Sequence, residues 1–151
     1  MKRAILAISV VAVLGLASSA LAGSSTTLLI RHQTRGCHAW SAGPGKPYKA
    51  AQSLKLATGS SLTVVNNDAM AHKLIQTSGP RVTITKAGSA MMNMSHEFTG
   101  SGVMAHPGAS VRMIFTTAGT YKFKTRFGED YMKMPDTVGE DNTLTLKVVV
   151  G

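Results

Sequence analysis

Alternation of apolar and polar residues runs through most of this chain, while helical spacing is weak. The clearest run is the last one. Leu144, Leu146, Val148 and Val150 fall on one side of an extended backbone, and Thr143, Thr145 and Lys147 fall on the other. Val111, Met113 and Phe115 mark one face of a strand over 110–116. After an Ala118-Gly119 turn, Tyr121 and Phe123 alternate with Lys122 and Lys124. Upstream, 26–31, 53–57, 61–65, 72–77 and 82–85 read as short strands. They are punctuated by Thr58-Gly59-Ser60, Asn66-Asn67-Asp68 and Ser78-Gly79-Pro80, all turn-forming residues. The segment 36–51 is rich in Gly, Pro and small residues and reads as a loop, and the methionine-rich 90–106 reads as irregular. A single helical turn fits at 39–51 or 90–95, but neither has a 3.6-residue period. About eight short strands separated by turns predict an all-β antiparallel sandwich or barrel. No internal repeat or linker divides the chain.

The first 22 residues break this pattern. Lys2-Arg3 is basic, 4–16 is apolar but short for a bilayer span, and Ala20-Leu21-Ala22 has the small-x-small form of a cleavage site. The expectation is a signal peptide over 1–22 and a single domain over 23–151. The protein would be periplasmic or secreted, with no transmembrane anchor after cleavage. No cysteine follows the cleavage point as a lipoprotein would require, and no Arg-Arg pair marks export in a folded state.

Charge adds a second asymmetry. The chain is formally +9 at pH 7. Residues 23–128 carry twelve Lys/Arg against only Asp68 and Glu97, whereas Glu129, Asp130, Asp136, Glu140 and Asp141 crowd the C-terminal part. A basic balance suits nucleic acid, anionic surfaces or plain solubility. Export and the lack of stacking aromatics argue against nucleic acid. The acidic stretch reads as a solvated loop, with a docking patch as the alternative.

Chemistry concentrates around one residue. Cys37 is the sole cysteine, within Gly36-Cys37-His38-Ala39-Trp40. Exported cysteines usually pair in disulfides, so an unpaired one is an intermolecular bridge, an inert thiol, or a reactive or metal-binding group. Beside an imidazole, in a chain with nine methionines including the first, it belongs to a soft donor set that favours copper. A copper-bound thiolate is also protected from the oxidation that an exposed thiol suffers outside the cell.

Among the five histidines, His72 is placed best, opening a strand after a turn, where loops build sites. His38 supplies a second nitrogen unless it faces away from Cys37. His32 and His106 read as solvated. His96, within Met91-Met92-Asn93-Met94-Ser95-His96, reads as packing or a weak secondary copper site. Trp40 and Tyr48 are candidates to shield the sulfur, and Asn67 or Asp68 to orient a histidine.

Three segments together resemble the cupredoxins. "SLKLATGSSLTVVNNDAMAHKL" at 53–74 is similar to their strand-turn-strand leading to a metal-binding histidine. "PGASVRMIFTTAGTYKFKT" at 107–125 is similar to the stretch that follows, and "DNTLTLKVVV" at 141–150 to the closing strand. The resemblance implies a Greek-key β-sandwich holding one copper, for electron transfer or copper handling, with a redox or copper-trafficking protein as partner and a monomeric state. The chain departs from the family after the Gly-Thr-Tyr strand. Thr125 to Met134 contains neither cysteine nor histidine, where most copper-binding cupredoxins carry Cys, His and Met. Two readings stay open: loss of the metal, or relocation of the missing ligands to Cys37 and His38. The preferred set is Cys37, His38, His72 and Met132, with Met134 as the alternate for the last place. The rivals are a copper carrier or sequestration protein using the methionines of 91–104, and a metal-free interaction module. No carboxylate pair, Ser-His-Asp arrangement or phosphate loop suggests an enzyme.

Overall fold

In the computed structural model, residues 23–32, 38–87, 100–127 and 143–151 are described. Ten strands are found among them: β1 Ser25–His32, β2 His38–Ser41, β3 Ala51–Leu56, β4 Ser61–Asn67, β5 His72–Ser78, β6 Ile84–Lys86, β7 Val103–Met104, β8 Ser110–Ile114, β9 Gly119–Phe127 and β10 Thr145–Val150. They form two five-stranded sheets, ordered β2-β1-β4-β8-β6 and β3-β10-β9-β5-β7. From β2 to β9 the chain passes repeatedly from one sheet to the other, so neighbours in sequence rarely pair. This is the all-β sandwich that alternation predicts, with one amendment. Each sheet contains a parallel pair, β1 with β4 and β10 with β3, among otherwise antiparallel pairings. Sequence alternation specifies faces but not strand direction, because both ladders keep the same two-residue period.

The core lies between the sheets. Leu144, Leu146, Val148, Val111, Met113 and Phe115 are all buried, as their spacing requires. Phe115 meets Tyr121 edge-to-face at 4.9 Å. The main departure from the sequence reading is at 36–51. Its early part, β2, is a fully buried strand antiparallel to β1, with His32 opposite His38 and Ile30 opposite Trp40. Four residues give too little periodicity to detect, and the strand exists because β1 offers it an open edge. Whether Trp40 borders the Cys37 sulfur falls outside the described residues. Trp40 itself sits in the core and donates its indole N–H to the Thr145 carbonyl at 2.9 Å, linking the two sheets. Tyr48 is half-exposed at 48%. Residues 39–51 contain no helical turn. A two-residue strand, β7, lies inside the stretch that read as irregular. Cys37, Met91 to Met94, His96, Met132, Met134 and the acidic stretch from Glu129 to Asp141 lie outside the described residues.

Candidate metal centre

The turn between β4 and β5 is built by Asn66. Its side-chain amide donates to the carbonyls of Met70 at 2.7 Å and Met104 at 3.1 Å, while its Oδ1 accepts the backbone N–H of Asp68 at 3.0 Å. Its backbone is also sewn to the Pro107-Gly108 turn: Asn66 N–H donates to the Ala109 carbonyl, and Gly108 N–H to the Asn66 carbonyl. Gly108 takes a positive φ of 85° there, a conformation suited to glycine. The network is buried and local, so it fixes where the Asp68 carboxylate points. Asn66, rather than the exposed Asn67, is the organising residue.

Asp68 is the centre of the site. Its Oδ2 lies 2.5 Å from His38 Nδ1 and 3.0 Å from His72 Nε2. Its Oδ1 accepts the Met70 N–H at 3.4 Å and faces His32 Nδ1 at 3.5 Å. The side chains of Asp68, His38 and His72 are fully buried, whereas that of His32 is 47% exposed at the rim. The His38 and His72 rings meet edge-to-face with centroids 4.7 Å apart. One ligand atom from each of His38, Asp68 and His72 can be chosen so that all lie within 4.8 Å of one another.

Electrostatics sharpen the picture. Burial alone would raise the pKa of Asp68, but the hydrogen bonds and charges of His38 and His72 outweigh it and hold the carboxyl well below the usual carboxylate range. The ionised carboxylate can only accept, so His38 Nδ1 and His72 Nε2 both carry protons. Burial pushes the pKa of His72 below its ordinary 6.5; the hydrogen bond to Asp68 opposes this and His38 reinforces it. His72 is therefore neutral near pH 7, protonated at Nε2 and bearing a lone pair on Nδ1. That Nδ1 is buried and has no hydrogen-bond partner among the described residues. A buried, unprotonated imidazole nitrogen with a fixed tautomer is a ready metal donor.

Of the four ligands expected from sequence, the fold brings His38 and His72 together. Cys37 and Met132 lie outside the described residues, although their neighbours mark where each departs. Cys37 directly precedes buried His38. The segment holding Met132 leaves from β9 at Phe127, whose backbone is the register partner of His72. Met104, buried on β7, is the other register partner of His72 and shares its face of the sheet. His106 stays at the surface, with Nδ1 bonded to the Pro107 carbonyl. His32 is not simply solvated, since it touches the cluster. Its involvement, like that of Asp68 as the bridge, follows from pairings between distant segments. The sequence carried one local signal, the Asn-Asn-Asp run, which by itself reports a turn.

No family model matches the chain, and no curated protein matches it. Solved structures do resemble it. A cysteine protease inhibitor from Entamoeba histolytica is 10% identical with a TM-score of 0.40, over 84% of this chain and 97% of that one. An amicyanin variant in its reduced state is 16% identical with a TM-score of 0.37, over 84% and 82%. A multi-copper oxidase from Pediococcus acidilactici is 11% identical with a TM-score of 0.41, over 100% of this chain but 31% of the oxidase. Copper proteins and an inhibitor thus stand in the same range. Likeness at this level carries no functional argument, and the reading rests on the side chains.

The described donors are two imidazoles and a carboxylate, with the thioether of Met104 on the neighbouring strand; imidazole and thioether are ligand types that copper takes.

Proposed function

We propose that this is an exported copper-binding protein that transfers single electrons at a mononuclear site held by Cys37, His38 and His72, with Met132 as the weak fourth donor. The observation that carries the reading is the buried Nδ1 of His72, without a hydrogen-bond partner among the described residues and set in its tautomer by Asp68. Copper bound there would supply a one-electron couple. The chain's own residues do the rest. Asp68 holds both rings through their N–H groups, Asn66 holds Asp68, and burial keeps water from the two imidazoles. A preorganised pocket of this kind changes little when charge arrives or leaves, which is what a carrier needs. The reading includes a periplasmic or secreted location, a redox or copper-trafficking protein partner and a non-enzymatic role.

Titration of the purified protein with Cu(II), followed by visible absorption and electron paramagnetic resonance, tests this. The expected result is stoichiometric binding with an intense thiolate-to-copper band. That band disappears in Cys37→Ser, and His72→Gln binds copper at least tenfold more weakly, in line with ~10–100-fold for disturbed ligand shells. A colourless protein that retains no copper overturns the proposal.

One observation favours a rival. Asp68 already accepts hydrogen bonds from both buried imidazoles, so the cluster is tied together by its own side chains, as a metal-free interaction module would need. The melting temperature discriminates. A ligand that binds only the native state must raise it, so an unchanged value in excess copper selects the module.

A further inference from the structure

The outer face of the β3-β10-β9-β5-β7 sheet carries an unusual charge arrangement. Lys122 on β9 stands directly opposite Lys147 on β10, and Arg126 on β9 directly opposite Lys73 on β5. Lys124 lies between them on β9, and Lys55 on β3 points the same way beside Val149. All but the half-buried Lys73 are exposed. Strands spaced ~4.8 Å apart, with outward residues ~7 Å apart along each, confine these six cations to a patch of roughly 15 by 20 Å. Like charges directly opposed across a sheet are destabilising. Among the described residues the only acidic side chain is that of Asp68, which is buried on the interior side. An open groove of about 480 Å³ crosses this face, with a mostly apolar lining that includes Ala51, Phe123 and Leu146 and with Lys122, Lys124 and Lys147 around it.

The chemistry of the face selects its occupant. Tight protein interfaces are anchored by aromatic residues and arginine, and single-stranded nucleic acid needs aromatic stacking platforms. The exposed large apolar residues of the described chain are Tyr48, in the loop before β3, and Ile114, on the other sheet. Five of the six cations are lysines, compact point charges that neutralise phosphate without demanding one fixed geometry. A broad, lysine-rich surface whose own apolar residues, Ile75 and Val149, are only partly exposed suits an extended array of phosphodiester headgroups. We propose that this face docks the protein onto membranes rich in anionic phospholipid, holding it at the bilayer surface by charge alone. The inference does not depend on copper binding, and each can fail without the other.

Co-sedimentation with phosphatidylcholine vesicles, with and without phosphatidylglycerol, tests it. The protein should bind only the phosphatidylglycerol vesicles and be released as salt is raised, because the attraction is screened. Replacing Lys122, Lys124 and Lys147 together by Ser should weaken binding about tenfold or more, given the contribution of each surface lysine. A control that removes the same number of charges elsewhere, Arg81→Ser with Lys86→Ser and Arg112→Ser, should bind nearly as the parent does. Equal loss in both triple variants overturns the proposal, since binding would then follow net charge rather than this face. Failure to bind phosphatidylglycerol vesicles at low salt overturns it too, and turns the face over to an acidic protein partner.

Discussion

Asp68 is the residue on which the centre turns, and its effect is measurable without a metal. Its folded-state pKa is depressed, so the stability it contributes is present above 3.8, the ordinary value, and is lost as pH falls below it. His72 acts in the same direction in a higher window. The unfolded imidazole takes a proton near 6.5, whereas the folded one resists until a lower pH, so acidification below 6.5 favours unfolding. Thermal melts of the metal-free protein should therefore show a falling melting temperature below 6.5 and a second loss below 3.8. Asp68→Asn should cost about 1–3 kcal/mol at neutral pH by depriving buried ring N–H groups of a charged acceptor, and should flatten the more acidic limb. A melting temperature that does not fall below 6.5 would contradict a neutral, buried His72. Sequence reasoning could single out His72, because a histidine opening a strand after a turn is a local pattern. It could suggest Asp68 only as one of several orienting groups, because the distance from its carboxylate to His38 depends on a contact spanning 30 residues.

At the scale of the element, the strands were largely legible because most inward residues are apolar and most outward ones polar. Their partners were not. β2 is four residues long and owes its existence to the edge of β1, and the parallel β1–β4 and β10–β3 pairs carry no signature in the alternation. Turn chemistry is more explicit. Gly79, in the Ser78-Gly79-Pro80 turn that closes β5, has a φ of 100°, and a Cβ there would sit 2.3 Å from the Thr120 carbonyl oxygen on β9. Gly79→Ala should destabilise by about 1–3 kcal/mol, combining an unfavourable φ with that clash against backbone. Chemical denaturation measures the loss. A change under half a kilocalorie would mean that β5 and β9 can separate there at little cost. The copper spectrum offers a further comparison, since His72 lies at the opposite end of β5.

For the whole molecule, charge sets stability against surface function. The Lys122–Lys147 opposition is a cost that Lys147→Glu should reverse, adding roughly 0.2–1 kcal/mol through an opposite-charge cross-strand pair. The same variant should bind anionic vesicles less well, so stability and docking would move in opposite directions. A melting temperature that drops in Lys147→Glu would show that the two lysines do not sense each other. The sequence by itself determined the strands, the faces they bury and the positions of the candidate donors, because these follow from the two-residue period of an extended chain and from turn residues acting locally. Only the tertiary structure decided that His32, His38, Asp68 and His72 meet at one end of the sandwich, and that Lys73, Lys122 and Lys147 share one outer face. Both depend on the register between strands distant in sequence, and that register is set by the packing of the whole core.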